Sequence, residues 1–200
     1  MRRPSRLLRT SLFLLVLSTL RFVYASDPLF AQDTTMPHSP TGSAQTQAQD
    51  RANAGLPRPV VAMYDAIMEA VNSGKIEDLR IAVEMNEIQP LIGERMGGDA
   101  MDTFRKLGKK LGDQHFLTII GNILKSRWIA LPLGADHENN RIYVWPRFAE
   151  TGLARLSKSD LQDFEAIVPA EKRKPMLASG RYDGFRVGIG ADGTWHFFAR

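Results

Sequence analysis

The apolar side chains of this 200-residue chain change their period near residue 126. Ahead of that point they recur every three or four positions. Beyond it, "RWIALPL" (127–133) and "RIYVWPRF" (141–148) alternate around the polar turn "GADHENN". A helical period buries one stripe of a cylinder, whereas alternation buries one face of a pleated strand, so the switch requires both kinds of element to share a core. Four helices are expected first. Residues 57–74 carry Val60, Met63, Tyr64, Ile67, Met68 and Val71 at helical spacing, with Gly74 as the stop. A shorter helix is expected over 76–85, before a loop at Gln89–Pro90 and a stretch marked by Gly93, Gly97 and Gly98. The third, 99–112, places Phe104, Leu107 and Leu111 on one face. The fourth, 113–126, is the most apolar. After the first hairpin come a helix over 159–168, a short sequel from Pro169 to Gly180, and a second hairpin over 184–199. The expected fold class is α+β, a helical N-terminal half packed on an antiparallel sheet built from two β-hairpins.

The first 25 residues have the pattern of a secretory leader. Arg2, Arg3, Arg6 and Arg9 precede the apolar block "SLFLLVLSTL" (11–20), and "VYA" ends at Ala25 with small residues suited to cleavage. The block is too short to span a bilayer, which takes about 20 residues. The alternatives are an uncleaved anchor or an organellar presequence. The whole chain carries +4, but five of its arginines lie in the leader and no acid does. Without it, 21 basic side chains face 22 acidic ones, a net charge of −1. A nucleic-acid partner is therefore not expected. Residues 26–56 are rich in Gln, Thr, Ala, Ser and Pro, the composition of a disordered linker, and His38 within them is discounted as a ligand. Residues 57–200 then form a single α+β domain of 144 residues. With no cysteine anywhere, that domain is held by its own core, without disulfides or thiolate metal sites.

The segment "GIGADGTWHFF" (188–198) contains a literal G-x-G-x-x-G. A dinucleotide site needs a helix after those glycines to receive the pyrophosphate, and "TWHFFAR" does not supply one. A hairpin fits instead, in one of two registers. A two-residue turn at Asp192-Gly193 pairs Ile189 with His196 and Val187 with Phe198. A three-residue turn over 191–193, with Gly193 as the left-handed bulge residue, pairs Ile189 with Trp195 and Val187 with Phe197. The second segregates Phe185, Val187, Ile189, Trp195 and Phe197 from Arg186, Gly188, Gly190, Thr194, His196 and Phe198, and is preferred for that reason. It sets His196 beside Gly188 and Gly190 on the face of Arg186. These four are the candidate ligand-binding residues; the competing expectation is that the glycines only permit close packing.

Other constellations are weaker. Asp183 and His196 are the candidate acid/base pair. Asp136, His137 and Glu138 occupy a hairpin tip, where a solvated turn is expected over a metal site, and neither metal nor cofactor is expected elsewhere. Glu84 and Glu87 are expected to be surface acids. Arg105, Lys106, Lys109 and Lys110 make a basic helix face able to touch a membrane surface. Trp128, Tyr143, Trp145 and Trp195 are expected in the core over a sugar-binding surface.

"YDAIMEAVNSGKIEDLR", "IYVWPRFAE" and "GRYDGFRVGIGADGTWHFFAR" together resemble a group of small exported proteins of Alphaproteobacteria with no assigned activity. The resemblance covers most of residues 57–200 and implies a secreted single domain, with no catalytic residues to transfer. The expected role is a non-enzymatic periplasmic binding or interaction module for an envelope ligand or protein. The alternatives are a small hydrolase or lyase acting on an envelope component, and a membrane-apposed accessory factor.

Overall fold

The computed structural model describes residues 53–93, 98–134 and 140–200. The leader, most of the linker and the Asp136–His137–Glu138 turn tip lie outside the described residues. The fold is α+β: among the described residues, seven α-helices accompany a five-stranded mixed sheet. The helices are α1 (Arg58–Ser73), α2 (Leu79–Glu84), α3 (Ala100–Leu111), α4 (Asp113–Lys125), α5 (Phe148–Thr151), α6 (Lys158–Ile167) and α7 (Ala170–Ser179), and a single 3-10 turn (Ile76–Asp78) precedes α2. The strands are β1 (Leu91–Ile92), β2 (Ile129–Pro132), β3 (Arg141–Trp145), β4 (Arg186–Gly190) and β5 (Trp195–Ala199), in the order β1-β5-β4-β3-β2.

Both expected hairpins form, and β3 pairs antiparallel with β4 to join them. The sheet is nevertheless not purely antiparallel. β1 adds to the edge of β5 in parallel, with Leu91 opposite Phe197 and Ile92 opposite Phe198. Just beyond that short pairing, the Asn86 side chain takes the place of a strand, its Oδ1 accepting the Trp195 N–H at 2.9 Å. The first hairpin also ends sooner than its sequence pattern predicts. β3 stops at Trp145, and after Pro146 the chain turns into α5, because Phe148 is drawn into a second cluster. Leu56, assigned from composition to the linker, packs against the main core.

That main core lies between one face of the sheet and α1, α3 and α4. It contains Val60, Met63, Tyr64, Ile67 and Met68 of α1, Phe104 of α3, and Phe116, Ile120, Ile123 and Leu124 of α4. The sheet contributes Tyr143, Trp145, Val187, Ile189, Trp195 and Phe198. Trp195 and Phe198 are three positions apart, so on a regular strand they point to opposite faces. A bulge reconciles them. Ile189 pairs with Trp195 and Gly188 with Phe197, leaving His196 as the extra residue of β5. The turn is the expected three-residue form: Gly193 N–H donates to Gly190 O at 2.8 Å, and Gly193 is left-handed at φ 91°. The strict alternation beyond it fails, however. Val187 pairs with Phe198, and Phe197 moves to the opposite face. Phe198 thereby stacks on Phe185 (centroids 4.6 Å apart) and meets Phe116 edge-on at 5.7 Å.

The second cluster gathers Phe148, Leu153, Phe164, Val168 and Met176 from α5 to α7. Its anchor is Asp160, which is buried. The carboxylate accepts the Ser157 N–H at 3.0 Å and the Ser157 hydroxyl at 2.6 Å, while Ser157 Oγ accepts the Asp160 N–H: a capping box that starts α6. Arg147 Nε lies 2.9 Å from Asp160 Oδ1, off the N–H axis, so this is a charge contact and not an aligned hydrogen bond. Arg127 stands 3.6 Å from the same oxygen. Arg127 and Arg147 flank the β2–β3 hairpin, so one carboxylate ties α6 to the sheet. Burial opposes the Asp160 charge most strongly, but the Ser157 hydrogen bonds and the two guanidinium groups outweigh it and hold the carboxyl below its usual range. Asp163, next along α6, is shifted the other way, by burial.

Two outcomes follow from this packing. Phe198→Ala is expected to cost about 3–5 kcal/mol and Phe197→Ala about 1 kcal/mol, read from urea unfolding midpoints at constant slope. Equal losses, or the reverse order, would refute the bulged register. The depressed pKa of Asp160 contributes stability above the unfolded carboxyl value of about 3.9, and that stability is lost as pH falls through the folded value. Asp160→Asn is therefore expected to lower stability by about 2 kcal/mol at neutral pH and to flatten the acid limb of the stability curve. An unchanged acid limb counts against this assignment.

Candidate functional site

The residues expected around His196 come together, and the space over the two glycines is filled. A Cβ at Gly188 would overlap the Phe197 ring, which lies across the glycine. A Cβ at Gly190 would come within 2.6 Å of Asp192 Oδ1 and 2.8 Å of His196 Nε2. Each missing side chain is thus replaced by a ring from β5. Arg186 is engaged as well, with Nη1 2.7 Å from Glu150 Oε1 and its guanidinium 5.8 Å from the centre of the Phe197 ring.

Asp183 and His196 do not meet. Asp183 precedes β4, whereas His196 sits near the far turn of the same hairpin, and a five-residue strand spans roughly 17 Å. The carboxylate beside His196 is Asp192. The Thr194 N–H (2.9 Å) does most to hold it below the usual carboxylate range; the Thr194 hydroxyl and the His196 charge assist, and burial opposes. His196 also borders a depression of about 740 Å³ together with Ile88, Pro90, Asp99 and Thr194.

A groove that continues from this depression along α3, past Asp99 and Thr103, has a more definite chemistry. Two cavities meet there at Leu111, Phe185 and Arg200. The Arg200 guanidinium lies 4.4 Å above the Phe185 ring, so a cation stacked on an aromatic face stands where they join. One cavity, about 440 Å³, opens between α4 and the α6–α7 pair, with Ile119, Ile123, Val168 and Met176 along it and His115, Lys172 and Asp183 among its polar residues. Its volume falls in the range of small-molecule sites. Tyr182 lines it too, its hydroxyl donating to Phe185 O at 2.8 Å; burial pushes the phenol well above its usual pKa, so it stays protonated. The other cavity, about 660 Å³, follows α3 past Lys106 and Lys110.

The basic helix face expected on α3 is thereby divided. Arg105 is tied to Glu77 at 2.6 Å and to Asp102 at 2.8 Å. Lys106 and Lys110 line the groove, and Lys109 is exposed outside it. Among the expected core aromatics, Trp145 and Trp195 are fully buried, and Trp128 packs edge-on against Tyr143 at 5.3 Å. Glu84 is exposed and pairs with Arg80 at 3.7 Å. Among the described residues no metal-binding group of His, Cys, Asp or Glu assembles, and no helix is long and apolar enough to cross a membrane. Sequence reasoning missed Phe185 and Arg200 as site residues. Phe185 read as hairpin core, and its contact with Arg200 crosses fifteen positions without any periodic signal. No protein-family model, curated protein or solved structure matches the chain.

The ring over Gly188 gives a direct test. Gly188→Ala is expected to cost about 1–3 kcal/mol through overpacking, and markedly less when Phe197 is already alanine. A double-mutant cycle in urea measures the coupling; zero coupling would mean that Phe197 does not cover the glycine.

Proposed function

We propose that this protein is an exported, non-enzymatic binding module of the cell envelope, and that its ligand lodges in the groove around Phe185 and Arg200. The leader over residues 1–25 supports export, and the resemblance to small exported alphaproteobacterial proteins agrees with it. The observation that carries the reading is the groove itself. Concave apolar surface with a few uncommitted polar groups is what small-molecule binding requires, and here Arg200, Lys106 and Lys110 have no carboxylate within ion-pair distance among the described residues. The enzymatic alternative had Asp183 and His196 as its candidate acid/base pair, and the placement of Asp183 before β4 and of His196 near the far turn speaks against it. The membrane-apposed alternative is weakened by the division of the α3 cations, since only Lys109 remains directed away from partners and groove.

The test is thermal melting of the purified full chain against envelope sugars, peptides and lipids. A ligand of this site is expected to raise stability by about 2.7 kcal/mol at a hundredfold excess over its Kd. Turnover of any compound would overturn the non-enzymatic reading. Salt-sensitive vesicle binding lost in Lys109→Glu would move the assignment to the membrane-apposed factor, and silence across the whole panel would move it to a protein partner.

A further inference from the structure

We propose that the groove takes a single-chain amphiphile with an anionic head, an inference that rests on the binding-module reading above and names its ligand class. The head sits among Lys106, Lys110 and Arg200, and the chain runs past Phe185 and Leu111 into the cavity along Ile119, Ile123, Val168 and Met176.

The charge argument is one of commitment, because the groove holds both signs. Lys106 and Lys110 stand one helical turn apart on the same side of α3, so their ammonium groups can converge on one anion. Among the described residues, two carboxylates share that cavity, Asp99 and Asp102. Asp99 Oδ1 accepts the Asp102 N–H at 2.8 Å as the helix cap, and Asp102 Oδ1 is paired with Arg105 at 2.8 Å. Asp102 is offset by Arg105, and Asp99 keeps its charge but leaves Lys106, Lys110 and Arg200 in excess. Arg200 is held by the Phe185 face and not by a carboxylate, which leaves its N–H groups to meet a bidentate anion.

Beyond Arg200 the character changes. The second cavity carries an apolar strip of side chains from α4, the end of α6 and α7, with Thr118 and Asn122 of α4 beside it. Its charged residues are Glu165, Lys172, Arg173, Asp183 and His115. Arg173 is committed to backbone carbonyls, its Nε donating to Val168 O at 2.8 Å and its Nη2 to Glu165 O. A free sugar or peptide would leave the apolar strip of Ile119, Ile123, Val168 and Met176 uncovered, whereas an alkyl chain laid along that strip covers it and leaves the polar residues at the cavity margin in contact with water. Carboxylate and phosphate heads satisfy the same three cations, so the head is specified only as an anion.

The experiment is calorimetric titration of the full chain, below micellar concentration, with decanoate, dodecanoate, dodecyl phosphate, dodecyltrimethylammonium and inorganic phosphate. One-to-one binding of the anionic amphiphiles is expected, tightening roughly tenfold per two methylenes. The cationic amphiphile and inorganic phosphate are expected not to bind measurably. Lys106→Glu with Lys110→Glu, both on the exposed side of α3, should weaken binding at least about tenfold with the circular dichroism spectrum unchanged. The ratio of dodecanoate to dodecyl phosphate affinity separates a fatty-acid from a phosphate-headed ligand. Equal binding of the cationic amphiphile, or full affinity in the double variant, would overturn the proposal. So would the absence of saturable amphiphile binding: if another envelope compound still stabilises the chain, the binding module stands and only this ligand class falls, and if none does, both fall.

Discussion

Everything on the sheet's inner face depends on one extra residue in β5. Trp195 and Phe198 both have to face inward, and three positions of regular strand cannot do that. The bulge at His196 absorbs the difference. It brings Phe198 against Phe185 and Phe116 while Trp195 stacks on Phe104 at 5.5 Å, so three elements and the residue preceding β4 lock onto one aromatic group. The same extra residue sends Phe197 and the His196 ring to the other face, where they cover the two glycines of β4. A single irregularity therefore decides both the packing of the core and the filling of the space over Gly188 and Gly190.

The groove arises for a different reason, at the seam between two hydrophobic clusters. Ile167 packs against both, and α4 presents one face to the main core and another to α6. Helices that meet along a seam pack less completely than helices within one core, and the space left over is lined by whatever apolar side chains face it. Asp160 fixes the width of that seam by holding α6 to Arg127 and Arg147. A buried carboxylate is costly unless its oxygens are occupied, so its environment admits few other placements of the helix.

Periodicity made most of this architecture legible. The stripe from Val60 to Met68 marks α1 and Phe116 to Leu124 marks α4, whereas α6 is capped by Ser157, two residues ahead of the expected start at Ser159. The two hairpins follow from alternation. What escaped was too short to have a period or depended on distant partners. Leu91 and Ile92 form a strand only because the β5 edge is offered to them, and α5 exists because Phe148 has a second cluster to enter. The register was half readable: the left-handed requirement at Gly193 fixes the turn, but hydrophobic segregation over five residues favours regular alternation and gives no warning of a bulge. The site was the least legible part, since Asp183 and His196 were linked by residue type alone and Phe185, Arg200 and Lys106 are joined only by folding.

The edges of the sheet carry a last consequence. A strand edge with free N–H and C=O groups is a template for another chain. On the β5 side, β1 occupies part of the template and the Asn86 amide occupies the next position, so a side chain imitates the missing strand. On the opposite side β2 ends in Pro132, which has no N–H to donate. Both margins are interrupted by covalent features of this chain, independent of any ligand. Removal of the Asn86 amide would leave the Trp195 N–H and C=O at the sheet edge exposed to pairing by another strand.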